Sequence, residues 1–139
     1  MRVVIDTCVV LDYLQNRKPF FDDALNVAIG AANREFEGII TASSLTDICY
    51  IVHRYTHSNI ETRKIITMLM AVFELADTYA EDCINALHSQ MTDYEDAVMS
   101  ETAARIGADY IVTRNIKDYE QSKIQARMPA DFLMMLDLA

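Results

Sequence analysis

The sequence predicts a three-layer α/β/α fold with a central parallel sheet of four to five strands, all of it within one domain over residues 1–139. Three observations predict it. Short β-branched runs alternate with longer stretches of helical apolar spacing, the pattern of βαβ units whose helices cover both faces of a parallel sheet. Only three glycines and two prolines punctuate 139 residues, which suits a helix-rich chain with short connections. The apolar fraction of 52% with 24% charged residues is that of a chain able to bury a core.

Taken in order, Arg2 to Asp6 is an apolar β-branched run ending in an acid and reads as a buried strand. Val9 to Leu14 predicts a short helix, broken near Asn16 to Pro19. From Phe21 to Asn33, Phe21, Leu25, Ala28, Ile29 and Ala32 recur at helical spacing, with Asp22 and Asp23 in the first turn. Gly38 opens a second strand, Ile39 to Ala42, after which Ser43 or Ser44 caps a helix burying Leu45, Ile48, Ile51 and Val52. Asn59 caps the next helix, with Ile65, Ile66, Leu69 and Val72 inward.

A short strand near Phe73 to Ala76 and a helix over Glu81 to His88 come next. Asp93 opens a helix that ends at Gly107, where a residue without Cβ suits a C-cap. Asp109 to Thr113 reads as a strand by its β-branched content. A last strand near Lys123 to Ala126 leads to Pro129 in the first turn of a terminal helix.

Composition also excludes. No apolar run reaches the roughly 18 residues of a membrane span, and the apolar N-terminus is too short for a signal peptide; a cytoplasmic protein is expected. Cys8, Cys49 and Cys83 are odd in number and lie in apolar runs, so reduced buried thiols are expected over a disulfide or zinc site. The net charge of −9 argues against simple nucleic-acid binding, which carries a basic footprint. The charge is uneven: Ile65 to Ala104 has no Lys or Arg but eight acids, and basic residues return from Arg105 to Arg127. An acidic excess fits an acidic surface, a basic protein partner or a site that needs cations.

Ligands of open parallel sheets gather beyond the carboxyl ends of the strands, and several polar residues fall there. Asp6 ends the first strand, Asp47 lies early in the helix after the second, Asp93 and Asp96 open the helix that feeds the fourth, and Thr113-Arg114-Asn115 closes that strand. Carboxylates brought together repel and are pushed toward their neutral forms. A hard divalent cation such as Mg²⁺ removes that penalty, and can then activate water and stabilise negative charge on a phosphodiester.

Each piece has a plainer reading. Asp6 can accept turn N–H groups, Asp47, Asp93 and Asp96 can serve helix caps and dipoles, and Thr113 and Asn115 can cap the segment after the strand. Glu81 and Asp82 read as a solvated helix start. His53 and His57 share an i, i+4 face but lack an acid pattern for a zinc site and read as a polar stripe; His88 sits where a helix C-terminus favours a cation. The methionines, among them Met68, Met70, Met134 and Met135, read as helix packing, with an adaptable oligomer surface as the alternative. Neither a Ser-centred nucleophile motif nor a Gly-rich phosphate loop is present.

Four segments together carry a resemblance: Val4-Ile5-Asp6-Thr7 with Val10-Leu11-Asp12-Tyr13-Leu14; Ser43-Ser44-Leu45-Thr46-Asp47-Ile48; Asp93-Tyr94-Glu95-Asp96-Ala97; and Gly107 to Asn115 running into Lys117-Asp118-Tyr119. Pro129-Ala130-Asp131-Phe132-Leu133 extends it toward the end of the chain. In this order and spacing the sequence resembles the PIN domain, most closely the VapC-like toxins of toxin–antitoxin pairs. The resemblance implies an endoribonuclease using Mg²⁺ or Mn²⁺. Asp6 matches the family's first acid and Asp96 its third, with Asp93 joining them directly or through water. Asp47 stands where the family usually has Glu and is one methylene shorter. Asn115 stands where many members have Asp, and Asp118 can supply the missing charge. Thr7 and Thr113 would contact metal water or phosphate, and Arg114 would hold phosphate or pair with a nearby acid. The resemblance further implies a homodimer and a protein antitoxin, for which an acidic surface is suited; RNA would bind through metal ions and Arg114 to Arg127, with salt-dependent affinity.

Two other classes share some of these features. The departures at Asp47 and Asn115 fit a weakened PIN fold that only binds RNA or protein. A phosphoacceptor receiver or haloacid-type phosphatase also places Asp at a strand end, but the phosphatase wants an acid where Cys8 stands, and Asp6-Thr7 lacks the receiver's paired acids.

Overall fold

A computed structural model describes residues 1–137 of the chain. Five strands, β1 (Arg2–Ile5), β2 (Glu37–Thr41), β3 (Glu74–Ala76), β4 (Tyr110–Val112) and β5 (Ala126–Arg127), form one parallel sheet in the order β3-β2-β1-β4-β5. Among the described residues seven helices accompany the sheet: α1 (Thr7–Leu14), α2 (Phe21–Ala32), α3 (Ala42–Thr56), α4 (Asn59–Val72), α5 (Ala80–Ala86), α6 (Tyr94–Arg105) and α7 (Pro129–Asp137), with a 3₁₀ turn at Ile116–Tyr119. The predicted three-layer architecture is present.

The alternation of side chains along a strand divides the core. Val3 and Ile5 point to one face with Ile40 and Val112, where they meet Val9, Val10, Val27, Ile48, Val52, Leu69 and Phe132. Val4, Ile39 and Ile111 point to the other, against Ala97, Val98, Met99 and Ala103 of α6. Strands buried on both faces carry continuous apolar runs, which is why Val3-Val4-Ile5 and Ile39-Ile40 show no polar alternation.

Several boundaries differ from the sequence reading, each for a local reason. Helix α1 begins at Thr7, because the Asp6 side chain accepts from the Thr7 N–H and serves as its cap. Strand β2 runs from Glu37 to Thr41, and Thr41 rather than Ser43 or Ser44 caps α3 by accepting from the Ser44 N–H. Ser58, not Asn59, caps α4 through the Glu61 N–H. The last strand lies at Ala126–Arg127, later than expected, where it pairs with Ile111 and Val112. In α2 the buried face is Ala24, Val27, Ala28 and Ala31, and Ile29 is exposed. Small residues on that face let the helix approach the sheet closely: a Cβ on Gly38 of β2 would stand 2.9 Å from both Ala31 Cβ and Phe73 Cδ1.

Gly107 ends α6 with φ of +72°, as a left-handed C-terminal residue requires. The three cysteines are unpaired but only partly buried. Met91 and Met99 pack in the core, whereas Met68, Met70 and Met134 protrude, against the packing role expected of them. His53 is exposed and His57 is a left-handed cap residue after α3. No helix among the described residues is long and apolar enough to cross a membrane.

Candidate active site

The strand order reverses between β1 and β4, and the two residues that leave these strands lie at that reversal. Ile5 pairs with Val112, so Asp6 and Thr113 emerge side by side; the Asp6 N–H donates to the Val112 carbonyl at 2.9 Å. The Thr113 hydroxyl, fully buried, donates to Asp6 Oδ2 at 2.7 Å, and the Thr7 N–H donates to Asp6 Oδ1 at 2.7 Å. Asp6 itself is only 5% exposed. Burial pushes its carboxyl above the ordinary value, with the Thr113, Cys8 and Thr7 donors opposing the rise.

Asp96 comes from the first turn of α6. Asp93 caps this helix, its Oδ1 accepting the Asp96 N–H at 2.9 Å. Burial first, then the charges of Asp6 and Asp93, push the Asp96 carboxyl up to about 7. The Asp6 charge thus stands near enough to oppose ionisation of Asp96, as a like charge beside a half-buried acid does. Tyr119 joins them: its buried hydroxyl donates to Asp96 Oδ1 at 3.1 Å and lies near enough to Asp6 to favour that charge too. Burial and the two carboxylates drive the Tyr119 phenol upward, so it stays a donor. Cys8 lies beside Asp6, and burial and that charge push its thiol up to about 11.

These acids open into a cleft of about 760 Å³. Thr7, whose hydroxyl shares a 2.6 Å hydrogen bond with Ser44, lines it, as do Asp47 from α3 and Asn115 from the end of β4. The structure therefore brings Asp6, Asp96, Thr7, Thr113, Asp47 and Asn115 to one place. Asp47 is exposed on the α3 wall. Asp93 is exposed and occupied by capping, and Asp118, exposed on the 3₁₀ turn, reaches Asp96 by charge.

Of its two possible roles, Arg114 takes the pairing with an acid. Its Nε and Nη2 donate to Asp12 at 2.5 and 3.1 Å, and its guanidinium lies 4.1 Å over the Phe20 ring. Asp12 is 1% exposed, so this pair braces α1 against the segment carrying Thr113 and Asn115. Asp12 has no role assigned from sequence, though an acid inside the apolar run Val9 to Leu14 is itself a sign of a buried partner. Tyr119 has none either, because a tyrosine after a strand has no signature of its own. Asp82 corrects another expectation. Far from solvated, it is 2% exposed and accepts from Arg105, Thr102 and the Tyr79 N–H. Burial opposes its charge, but Arg105 and those donors prevail and hold it below the ordinary value.

A divalent ion fits the donor set present. Among the described residues no three His, Cys, Asp or Glu side chains form a group able to hold an ion alone. Mg²⁺ does not ask for one, since it binds through one or two carboxylates and keeps waters or takes substrate phosphate. Two oxygen-donor carboxylates, both held above their ordinary values, Asp6 by burial and Asp96 by burial and the Asp6 charge, are the kind of pair a cation relieves.

Several solved structures share this arrangement of strands and helices. A structure of VapBC2 from Rickettsia felis, bound to a DNA fragment from its promoter, aligns at 16% identity over 92% of this chain and 98% of that chain, with a TM-score of 0.67. VapC20 of Mycobacterium tuberculosis, a sarcin–ricin loop cleaving toxin, aligns at 11% identity over 78% and 86%, TM-score 0.61. PAE2754 from Pyrobaculum aerophilum aligns at 12% identity over 100% and 97%, TM-score 0.68. At these identities the likeness is one of fold. Comparison with curated proteins gave no significant match. The model of the PIN domain matches residues 2–117, the span that contributes Asp6, Asp47, Asp93, Asp96 and Thr113 to the arrangement above, and the chain belongs to the PIN domain family.

Proposed function

We propose that the protein is an endoribonuclease dependent on Mg²⁺ or Mn²⁺, and that it is the toxin of a toxin–antitoxin pair. The observation that carries this reading is the meeting of Asp6 and Asp96, ninety residues apart in sequence, in one cleft where the Asp6 charge discourages that of Asp96. Asp6 and Asp96 would hold the ion, with Asp93 and Asp47 acting through water. A bound divalent ion acidifies water and neutralises the charge that develops on a phosphodiester. Thr113 and the Thr7 N–H fix Asp6, Tyr119 orients Asp96, and Thr7 and Asn115 face the phosphate. Attack of water on phosphorus would break the P–O3′ bond and leave a 5′-phosphate and a 3′-hydroxyl.

The toxin role draws on the fold shared with VapC20 and with VapBC2 and on the net charge of −9, which suits a basic antitoxin segment. A homodimer in the cytoplasm belongs to the same reading; Ile84 and Leu87, 57% and 69% exposed at α5, supply apolar surface for it.

Purified protein is expected to cleave structured RNA with Mn²⁺ and to lose that activity as Asp6→Asn or Asp96→Asn. Undiminished cutting by both variants would refute the assignment. One observation favours a second reading, a PIN fold that binds without cutting: among the described residues no third carboxylate joins the pair as a ready ligand. Calorimetric titration separates the two, since a binding module should show no saturable Mn²⁺ heat that Asp6→Asn abolishes.

A further inference from the structure

Beyond the acids the cleft continues along α3, and past Asp47 nothing in the hydrolytic chemistry uses it. Asp47, Tyr50, Ile51 and Arg54 line it together. Their spacing of i, i+3, i+4 and i+7 places them in one stripe on the helix, and the run from Asp47 to Arg54 spans about 10 Å. The first turn of α6 lines the same cleft with Tyr94, Glu95 and Asp96. Tyr50 is 66% and Tyr94 46% exposed, so two exposed aromatic rings line the cleft that holds the acids. The Tyr94 hydroxyl donates to the Cys83 carbonyl at 2.8 Å and fixes that ring. Arg54 lies 5.9 Å from the centre of the Tyr50 ring and has no carboxylate partner among the described residues.

We propose that this groove is a stacking shelf for single-stranded RNA, in which Tyr50 and Tyr94 each take an unpaired base and Arg54 takes the adjoining phosphate. The identity of the ligand rests on the ribonuclease reading above. Two features select an unpaired strand, and a third selects its phosphate. Base faces stack on tyrosine only when unstacked from their neighbours, the mode by which proteins read single-stranded rather than duplex RNA. Asp6 is almost fully buried, so the backbone must enter the cleft to approach it, which a flexible strand can do. An uncompensated guanidinium on a chain of net charge −9 is local charge complementarity for phosphate where the rest of the molecule repels it. Arg17, the other guanidinium of the groove, already donates to Gln15 and lies 3.9 Å from Asp12.

Two readouts test the shelf on the intact protein. Fluorescence anisotropy in EDTA compares a labelled single-stranded oligoribonucleotide of mixed sequence with its duplex, and steady-state kinetics with Mn²⁺ uses the single strand as substrate. Single strand is expected to bind well ahead of duplex. Tyr50→Ala and Tyr94→Ala should each weaken binding and raise KM roughly ten-fold, with kcat little changed, and the Phe variants should restore both. With Arg54 as the phosphate contact, affinity should fall with salt at a log–log slope of about −0.7, and become nearly flat in Arg54→Gln. Tyr50 projects into solvent, so its Ala variant keeps the fold; Tyr94→Phe separates loss of the ring from loss of the Cys83 hydrogen bond.

Equal or tighter duplex binding would overturn the proposal, as would Ala variants that bind the strand like the parent. Saturable binding of an arginine-rich peptide without binding of the strand would assign the groove to a basic protein and also overturn it. Loss of strand binding in the Tyr variants of a protein that cuts no RNA would uphold the shelf and refute the hydrolytic reading. Asp6-dependent cutting that is indifferent to Tyr50 and Tyr94 would do the reverse.

Discussion

Replacing Asp96 by Asn should stabilise the metal-free protein while removing its response to Mn²⁺. The Asp96 carboxyl stands at about 7 against an ordinary value of 3.8, first because of burial and then because of Asp6 and Asp93. That rise of about three units corresponds to about 4 kcal/mol at ~1.4 kcal/mol per unit. Asp96 is half-buried, and solvent screening reduces the stability at stake to about half, ~2 kcal/mol. Asn keeps an acceptor for the Tyr119 hydroxyl and carries no charge. In EDTA at pH 8 its melting temperature should therefore exceed the parent's by roughly 6–8 °C for a chain of this size. Between about pH 4 and pH 7 the folded parent keeps a proton that the unfolded chain has shed, so its stability falls as pH rises through that window and levels off above it. The advantage of the variant should shrink accordingly as the pH is lowered toward 4. Mn²⁺ at a hundred times its Kd adds about 2.7 kcal/mol to a protein that binds it, enough to reverse the order of the two melting temperatures at pH 8. Calorimetric melts with and without Mn²⁺ read all of this. A variant that melts at or below the parent in EDTA at pH 8 would refute the claim that burial and the neighbouring acids oppose the Asp96 charge.

Tyr119→Phe removes the donor to Asp96 without opening a cavity, and should weaken Mn²⁺ binding about ten-fold by titration, since a partner that orients a ligand commonly carries that much, while leaving the melting temperature nearly unchanged. Asp12→Ala leaves the Arg114 guanidinium without its carboxylate beside Phe20; a loss of about 3–5 kcal/mol in urea unfolding is expected for a broken buried pair, and an unchanged midpoint would show that the pair does not brace the site. Arg105→Met strands Asp82 in the same way and should cost a similar ~3 kcal/mol at pH 7. Because Asp82 is held below its ordinary value, that penalty should ease as pH falls and Asp82 takes up a proton. Gly38→Ala forces a Cβ to 2.9 Å from Ala31 and Phe73, a crowding worth about 1–3 kcal/mol in thermal unfolding.

Much of the fold is legible in the sequence because its signals are local. Val3-Val4-Ile5 and Ile39-Ile40 declare strands buried on both faces, Gly107 declares a helix end, and an acid or hydroxyl directly after a strand, as at Asp6 and Thr113, lies at the ligand-binding edge of any parallel sheet. Helix starts differ by a residue or more at Ser43 and Asn59, since Thr41 and Ser58 are equally good caps and only the backbone path chooses among adjacent hydroxyls. The buried face of α2 departs from its apolar periodicity because a close approach to Gly38 rewards alanines over the larger Ile29.

The pairings across long stretches of chain lie beyond any local signal. Arg114 turns to Asp12, 102 residues away, rather than to solvent or phosphate. Tyr119 reaches back 23 residues to Asp96, and Arg105 draws Asp82 out of water. Sequence determines which residues can be charged and which face of an element they share, because periodicity is a property of one segment. Whether a charge is solvated, paired or opposed depends on which other segment lies against it, and that is set by how helices pack on the sheet.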